Sequence, residues 1–189
     1  MIGTRTAIGV ALAAVLALPL AASSAQGTSW LDGDMANWNT AGMAVPQAPQ
    51  IEGNSDPRCA ENERPAEIPE DQQLTALGWR LFRAYQRGWG VSLVAALSAY
   101  DGMCRPLGYQ WFVFVDGTFA GTISPQPMDS RTDGAATDVV LYSADNLNAT
   151  YLRYAPDDPL CCASGSDSVQ FTIERSANGA VLVPQRAPS

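Results

Sequence analysis

Alternating apolar and polar positions in the second half of the chain predict two β-hairpins. In the first, YQWFVFVDGTFAGTIS, two β-rich runs flank Asp116-Gly117, which favours a two-residue turn. Such a turn places Phe114 opposite Phe119 and Val113 opposite Ala120. Both faces of the first run are apolar, so we expect this strand to be central and covered on both sides.

The second hairpin is predicted near the C-terminus, in SVQFTIERSANGAVLVPQ. Apolar residues alternate with polar ones before the turn, so one face should be buried and the other exposed to solvent. The dipeptide Asn178-Gly179 marks the turn. Between the hairpins, residues 139–142 read as a short strand. The stretch ADNLNATYLRYAP is compatible with either a strand or a short helix.

Helical signals are confined to residues 66–77, where Leu74 and Leu77 share one face and Gly78 is a plausible stop. The following WRLFRAYQR could extend this helix, but a strand is favoured because GWG then forms a turn into VSLVAALSAY. We therefore predict an α+β fold for residues 66–189. It is a single disulfide-bridged domain with a mainly antiparallel sheet of about five to seven strands and one or two helices packed on it.

Residues 1–25 have the pattern of a secretory signal peptide. Arg5 precedes an apolar run over 8–22, and the small residues 23–25 suit cleavage before Gln26. A membrane anchor is the alternative, but the run of about 15 residues is shorter than the about 20 that a span needs. We expect the protein to be exported, and it would then be either secreted or retained in the periplasm or cell envelope. No cysteine precedes Cys59, so we do not expect lipid anchoring through an N-terminal Cys.

Residues 26–65 are rich in Pro, Asn, Gly and Asp, and they predict an extended arm that forms one unit with the domain. Trp30 and Trp38 in this arm favour docking onto the domain, with sugar stacking as the alternative. No stretch after residue 25 approaches membrane-spanning length.

Composition narrows the possible chemistry. The chain has 11 basic residues, all of them arginine, against 19 acidic ones, and its net charge of −8 disfavours nucleic acid as a partner. It has no histidine and no lysine, which excludes a Ser-His-Asp triad, a His-ligated zinc and a Schiff-base lysine. We therefore expect neither a common enzyme mechanism nor a cofactor.

Four cysteines, Cys59, Cys104, Cys161 and Cys162, predict two disulfides in an exported protein. A bond between the adjacent pair would join Cα atoms only about 3.8 Å apart, against 4.4–6.8 Å in ordinary disulfides, and would favour a distorted or cis peptide. Adjacent side chains on an extended segment point to opposite faces. We therefore expect the pair to bridge separately to Cys59 and Cys104, with a vicinal bond, or free or metal-bound thiols, as the alternatives.

One loop, MDSRTDG, carries the candidate ligand residues Asp129, Ser130, Arg131 and Asp133. It resembles a calcium loop, but an arginine stands at the third position and valine at the twelfth, so no metal site is expected. We expect a turn in which Arg131 pairs with a carboxylate. The alternative is an arginine-centred site for an anion or another ligand. The run DGMCRPLGY similarly offers Asp101, Arg105 and Tyr109 near a turn, with a disulfide-pinned connection into the central strand as the alternative.

Four long stretches resemble the LppP/LprE lipoprotein family of bacterial envelopes. They are WLDGDMANWN, GWRLFRAYQRGWGVSLVAALS, DGMCRPLGYQWFVFVDGTFAGTISPQPMDSRTDG and YLRYAPDDPLCC, which together run from about residue 30 to about residue 184. The resemblance implies an exported envelope domain with paired disulfides. It implies no catalytic residues, and the lipobox cysteine of the family's lipoproteins is missing here.

These observations favour a non-enzymatic binding or structural module whose partner is an envelope protein, a glycan or a small ligand. One alternative is a glycosidase-like hydrolase that uses two of Asp101, Asp129 and Asp133, which would have to converge within about 5–9.5 Å. Another is a thiol-redox protein, which requires Cys161-Cys162 to be vicinal or reducible.

Overall fold

The computed structural model describes residues 29–54 and 56–186, and the predicted signal segment 1–25 lies outside the described residues. The described chain contains a 3₁₀ helix, η1 (Pro57–Asn62), and one α-helix, α1 (Pro69–Ala76). No helix in this part of the chain is long and apolar enough to cross a membrane. The helical prediction for 66–77 is confirmed over Pro69–Ala76; the helix begins three residues later than predicted and ends one residue earlier.

The described residues form eleven strands in two sheets and a ribbon, all paired antiparallel. The first sheet has the order β1-β3-β6-β7, with β2 also paired to β3, and the second has the order β11-β10-β9-β8. Strands β4 and β5 form the ribbon. The bounds are β1 (Arg80–Leu81), β2 (Gln86–Gly88), β3 (Val91–Leu97), β4 (Ala99–Tyr100), β5 (Pro106–Leu107), β6 (Gln110–Val115), β7 (Thr118–Thr122), β8 (Ala136–Leu141), β9 (Asn146–Arg153), β10 (Gly165–Ser176) and β11 (Gly179–Arg186).

The mainly antiparallel α+β class is confirmed, but the strands divide between two sheets rather than one. Side chains link the edges of these sheets. The Asn39 amide donates to the carbonyls of Thr122 in β7 and Leu182 in β11, at 3.0 Å each. The Gln86 side chain of β2 similarly bonds to the backbone of Val139 and Leu141 in β8. These links cover backbone groups that would otherwise be open to pairing with another chain.

The hairpin at Asp116-Gly117 is confirmed, together with the pairing of Phe114 and Phe119. The predicted pairing of Val113 with Ala120 is wrong, because a bulge places Gly121 opposite Val113. The turn fixes only the nearest pairs. Beyond them the N-terminal arm intervenes, since the Thr122 N–H donates to Asn39 Oδ1 at 2.9 Å.

Strands β3 and β6 separate two hydrophobic cores. Residues at odd positions of β3 and β6 face a large core that the second sheet closes from the other side. Val94, Ala96, Phe112 and Phe114 face a smaller core with Leu74 of α1. Every residue of both strands is buried, so the prediction of a central strand covered on both faces is confirmed for β6.

The arm docks on the larger core through its tryptophans. Trp30 packs edge-on against Trp38 and Tyr151, with ring centroids 5.3 and 5.0 Å apart. The Trp38 indole N–H donates to the Thr122 carbonyl at 3.0 Å. Both rings are therefore engaged within the protein, which is the docking role that the sequence favoured.

The disulfides join Cys59 to Cys104 and Cys161 to Cys162, so the expected cross-bridging is wrong. The fold explains this result. Cys59 lies in η1 and Cys104 in the turn between β4 and β5, while both members of the adjacent pair lie in the loop between β9 and β10 of the other sheet. The adjacent Cα atoms are 3.7 Å apart, and no cis peptide occurs among the described residues.

The two disulfides differ in what they contribute to the stability of the fold. Cys59 and Cys104 are 45 residues apart, and closing a loop of that length stabilises a fold by about 4 kcal/mol in the chain-entropy account. Cys161 and Cys162 are one residue apart, so their bond excludes few conformations of the unfolded chain. The first bond therefore stabilises the fold as a whole, whereas the second constrains only the conformation of its own loop.

Candidate ligand-binding site

Backbone contacts hold the predicted loop 128–134 against the ribbon and the start of β6. Met128 and Tyr109 exchange two backbone hydrogen bonds of 2.8 Å. Asp129 Oδ1 accepts from the Gly108 N–H at 2.7 Å, and the Ser130 N–H donates to the Pro106 carbonyl at 3.0 Å. The loop is thus fixed in position up to Arg131.

Arg131 does not pair with a carboxylate of the described residues, so the expected ion pair is wrong. Within the part of the chain that the structure describes, its guanidinium makes no hydrogen bond or ion pair, although the residue is half-buried. Its backbone has φ of 65°, a left-handed conformation that costs a residue other than glycine on the order of 1–3 kcal/mol. The loop therefore holds an unpaired cation on a strained backbone.

Arg131 lines a cleft of about 250 Å³ together with Arg83 and Arg105, and we call this the arginine cleft. Ser130 and Thr137 also line it, and the remaining wall is mainly apolar. The apolar lining residues are Phe82, Pro106, Tyr109, Ala135, Ala136 and Leu152. No aspartate or glutamate lines this cleft, although acidic residues outnumber basic ones by 19 to 11 in the whole sequence.

Local contacts hold the other two arginines of the cleft. The Arg83 guanidinium donates to the Thr137 carbonyl at 3.2 Å, and Arg105 pairs with Asp101 at 2.5 Å. Arg83 has φ of 59°, and so does Cys104, which precedes Arg105 and is anchored by its disulfide. All three segments that bring an arginine to the cleft thus contain a residue in the left-handed region, and such strain concentrates at functional sites.

On its other side, Arg131 lines a larger cavity of about 490 Å³, which we call the Arg153 cavity. Arg153 forms ion pairs there with Asp32, Asp133 and Asp167 at 2.5, 3.2 and 2.6 Å. The hydrogen bond to Asp32 is the main cause of a raised pKa for Arg153, with further contributions from Asp167 and Asp133. The charge of Arg153 is therefore satisfied within the protein, whereas Arg131 has no charged partner in the described part of the chain.

Each of the three carboxylates that a hydrolase would need has its own local hydrogen-bond partners. Asp129 bonds to the Gly108 N–H, Asp133 bonds to Arg153 and to the Tyr154 N–H, and Asp101 pairs with Arg105. Of the three carboxylates, Asp133 lines the Arg153 cavity and none lines the arginine cleft.

The protonation state of Asp101 also opposes an acid role. Burial raises the pKa of Asp101, but hydrogen bonds from the backbone N–H groups of Arg105 and Met103 and from the Arg105 guanidinium outweigh burial and hold it below its usual value. A general acid needs the opposite shift. Among the described residues, no group of three or more Cys, Asp or Glu side chains is arranged to hold a metal ion.

The cleft thus brings together Ser130, Arg131 and Arg105 from the predicted set and leaves Asp129 and Asp133 outside it. Sequence reasoning missed Arg83 and Arg153. Arg83 lies in a run that reads as a continuous strand, whereas the chain bends between β1 and β2 at this residue. The only signal for Arg153 was its place at the end of an alternating strand.

Comparison with known proteins gives one match. Residues 85–176 match the family model of the LppP/LprE lipoproteins, which confirms the resemblance over just under half of the chain. The match includes the loop 128–134, Arg105, Arg131 and Arg153, and it excludes Arg83 and the arm. No curated protein and no solved structure matches the chain.

Proposed function

Because residues 85–176 match the LppP/LprE lipoprotein family, we propose that this protein is an exported cell-envelope module that binds a small anionic ligand in the arginine cleft. The unpaired guanidinium of Arg131 carries this proposal. A half-buried arginine that follows a fixed stretch of loop, and that has no partner among the described residues, is ready to form charge-assisted hydrogen bonds with a ligand.

The lining of the cleft indicates the class of ligand. Arginine binds carboxylate and phosphate groups through two parallel N–H···O bonds, so either group suits the three guanidinium groups. Phe82, Tyr109 and Leu152 offer an apolar surface beside them. The volume of about 250 Å³ lies just below the usual range of about 300–1,000 Å³ for ligand pockets. We expect a small anion with a short apolar part.

The proposed location has its own test. The family suggests the envelope, and residues 1–25 have the pattern of a cleaved export signal. N-terminal sequencing of the protein recovered from an envelope or culture fraction should begin at Gln26. A protein that stays in the cytoplasm with its first 25 residues attached would contradict the proposal of export.

Ligand binding is tested by calorimetric titration of the mature protein with inorganic phosphate, hexanoate and benzoate. The carboxylates with an apolar part should bind more tightly than phosphate, because only they use the apolar wall. In Arg131→Gln the affinity for the best probe should fall about tenfold or more. A hydrogen bond to a charged group contributes about 1.5–3 kcal/mol, and about 1.4 kcal/mol corresponds to a factor of ten.

Arg87→Gln is the matched control. Arg87 lies in β2, is exposed and does not line the arginine cleft, and its replacement changes the net charge by the same amount. An equal loss of affinity in both variants would show binding through overall charge and would contradict the site. Absence of binding by all three probes would contradict this class of ligand.

A further inference from the structure

The loop between β9 and β10 carries an exposed cystine that the proposed function does not use. Cys161 and Cys162 are bonded to each other and both are exposed, whereas Cys59 of the other disulfide is fully buried. Because the bond joins adjacent residues, it closes almost no loop of the unfolded chain. Stabilisation of the whole fold therefore does not explain why the bond is there.

Contacts other than the disulfide hold the shape of this loop. Asp158 Oδ2 accepts from the Ala155 N–H at 2.7 Å and from the Ser164 N–H at 2.8 Å. The Cys162 N–H donates to the Pro159 carbonyl at 2.9 Å. These bonds do not involve sulfur, so they persist when the disulfide opens and keep the two thiols side by side for closure.

An exposed apolar side chain adjoins the cystine. Leu160, next to the cystine, is 79% exposed, and the Tyr154 hydroxyl donates to its carbonyl at 3.2 Å. Because Leu160 is exposed and directly precedes Cys161, a protein that reaches the sulfur atoms would also contact this apolar side chain.

We propose that Cys161-Cys162 is a thiol–disulfide exchange site for a protein dithiol. One thiolate of the dithiol attacks an exposed Sγ, breaks the Cys161–Cys162 bond and forms a mixed disulfide. The partner's second thiol then attacks the partner's own sulfur in the mixed disulfide and displaces the cysteine of this chain, so the partner leaves as a disulfide. Two electrons and two protons pass to Cys161 and Cys162, and the reverse reaction oxidises them again.

The loop connects this chemistry to the Arg153 cavity. Tyr154, Ala155, Pro156, Asp158 and Leu160 all belong to the loop and line that cavity. Cys161 directly follows Leu160, so the cystine lies beside one wall of this cavity. None of these loop residues lines the arginine cleft, so this inference stands or falls separately from the proposed function.

The first test is reduction of the mature protein by graded dithiothreitol, with alkylation and peptide mapping. We expect Cys161 and Cys162 to be labelled first, while Cys59 and Cys104 stay bonded. The Cys161→Ser/Cys162→Ser variant should keep its Tm within about 3 °C, whereas Cys59→Ser/Cys104→Ser should lose roughly 8–16 °C. The inference is overturned if Cys59 and Cys104 are labelled first, or if the first double variant loses as much stability as the second.

The second test separates a site of exchange from a merely exposed disulfide. A thioredoxin-type dithiol protein should reduce the pair about tenfold faster than dithiothreitol at equal thiol concentration. Leu160→Ser should slow the protein reaction several-fold and leave the dithiothreitol reaction unchanged. Tyr142→Ser, at a residue that is 63% exposed at the end of β8, should change neither rate. Equal rates with the protein and with dithiothreitol, or no effect of Leu160→Ser, would overturn the inference.

Discussion

The ion pair between Arg64 and Asp71 should stabilise both the fold and one wall of the arginine cleft. Two guanidinium nitrogens of Arg64 bond to the two oxygens of Asp71 at 2.6 Å each. The Asp71 side chain is fully buried and also accepts from the backbone N–H groups of Glu67 and Ile68. Arg64 also donates from Nη1 to the Pro65 carbonyl at 3.1 Å and from Nε to the carbonyl of Arg83, the residue with a strained backbone, at 2.9 Å.

Asp71→Asn is therefore expected to lower the free energy of unfolding by about 3–5 kcal/mol. Asparagine supplies one acceptor oxygen where Asp71 supplies two charged ones, and its NH₂ group faces the donors of Arg64. Leaving one partner of a buried pair uncompensated costs about this amount. In a domain of this size the loss corresponds to a fall in Tm of roughly 6–20 °C.

Urea unfolding followed by tryptophan fluorescence measures this loss, with Asp145→Asn as the control. Asp145 pairs with Arg175 on the surface, where both side chains are more than a third exposed, so its replacement should cost less than about 1 kcal/mol. Equal losses in the two variants, or a loss below about 1 kcal/mol in Asp71→Asn, would refute the reasoning.

The dependence on pH gives a second check. Burial alone would raise the pKa of Asp71, but the hydrogen bonds from Arg64 and from the Glu67 and Ile68 N–H groups outweigh it and lower the pKa. Since the folded pKa lies below the unfolded value of about 3.9, the contribution is fully present above that value and is lost as the pH falls through the folded pKa. The difference between parent and Asp71→Asn should be constant from pH 5 to 8 and shrink below about pH 4.

Two further predictions concern packing and alkaline stability. Gly121→Ala should lower the free energy of unfolding, measured in urea, by about 2–3 kcal/mol. The added Cβ would lie 2.4 Å from Asn39 Cγ, and the backbone φ of Gly121 is 145°. Gly102→Ala, with open space around it, should cost less than about 0.5 kcal/mol, and similar losses in both would contradict the clash. Burial raises the pKa of three tyrosines, so the folded state should lose stability above about pH 10, where the unfolded chain ionises. Absorbance at 295 nm should show their ionisation delayed until unfolding; a titration complete in the native state would contradict it. The three buried tyrosines are Tyr100, Tyr109 and Tyr151.

The first hairpin shows where local sequence was sufficient. In the second, the turn lies at residues 177–178 rather than at the predicted Asn178-Gly179, because Gly179 already pairs with Ser176. Asp116-Gly117 fixed the turn and the pair Phe114–Phe119, because a two-residue turn determines its nearest neighbours. The register past Val113 depended on Asn39, which lies more than 70 residues earlier in the chain. No local pattern contains that contact.

The candidate site was predictable in part for the same reason. Arg105, Ser130 and Arg131 lie in short loops that the sequence marks as turns, and the cleft contains all three. Arg83 lines the cleft because the chain bends after β1. Asp129 does not line it, because its carboxylate accepts a hydrogen bond from the Gly108 N–H. Which side chains share a cavity depends on how the sheet and the ribbon meet.

The sequence by itself determined the antiparallel α+β class, the central strand β6, and the exclusion of histidine and lysine chemistry, because composition and strand alternation are local properties. Only the tertiary structure decided the cysteine pairing, the split into two sheets and the unpaired state of Arg131. Those outcomes depend on distances between residues far apart in the chain, and such distances are set by the packing of the whole domain.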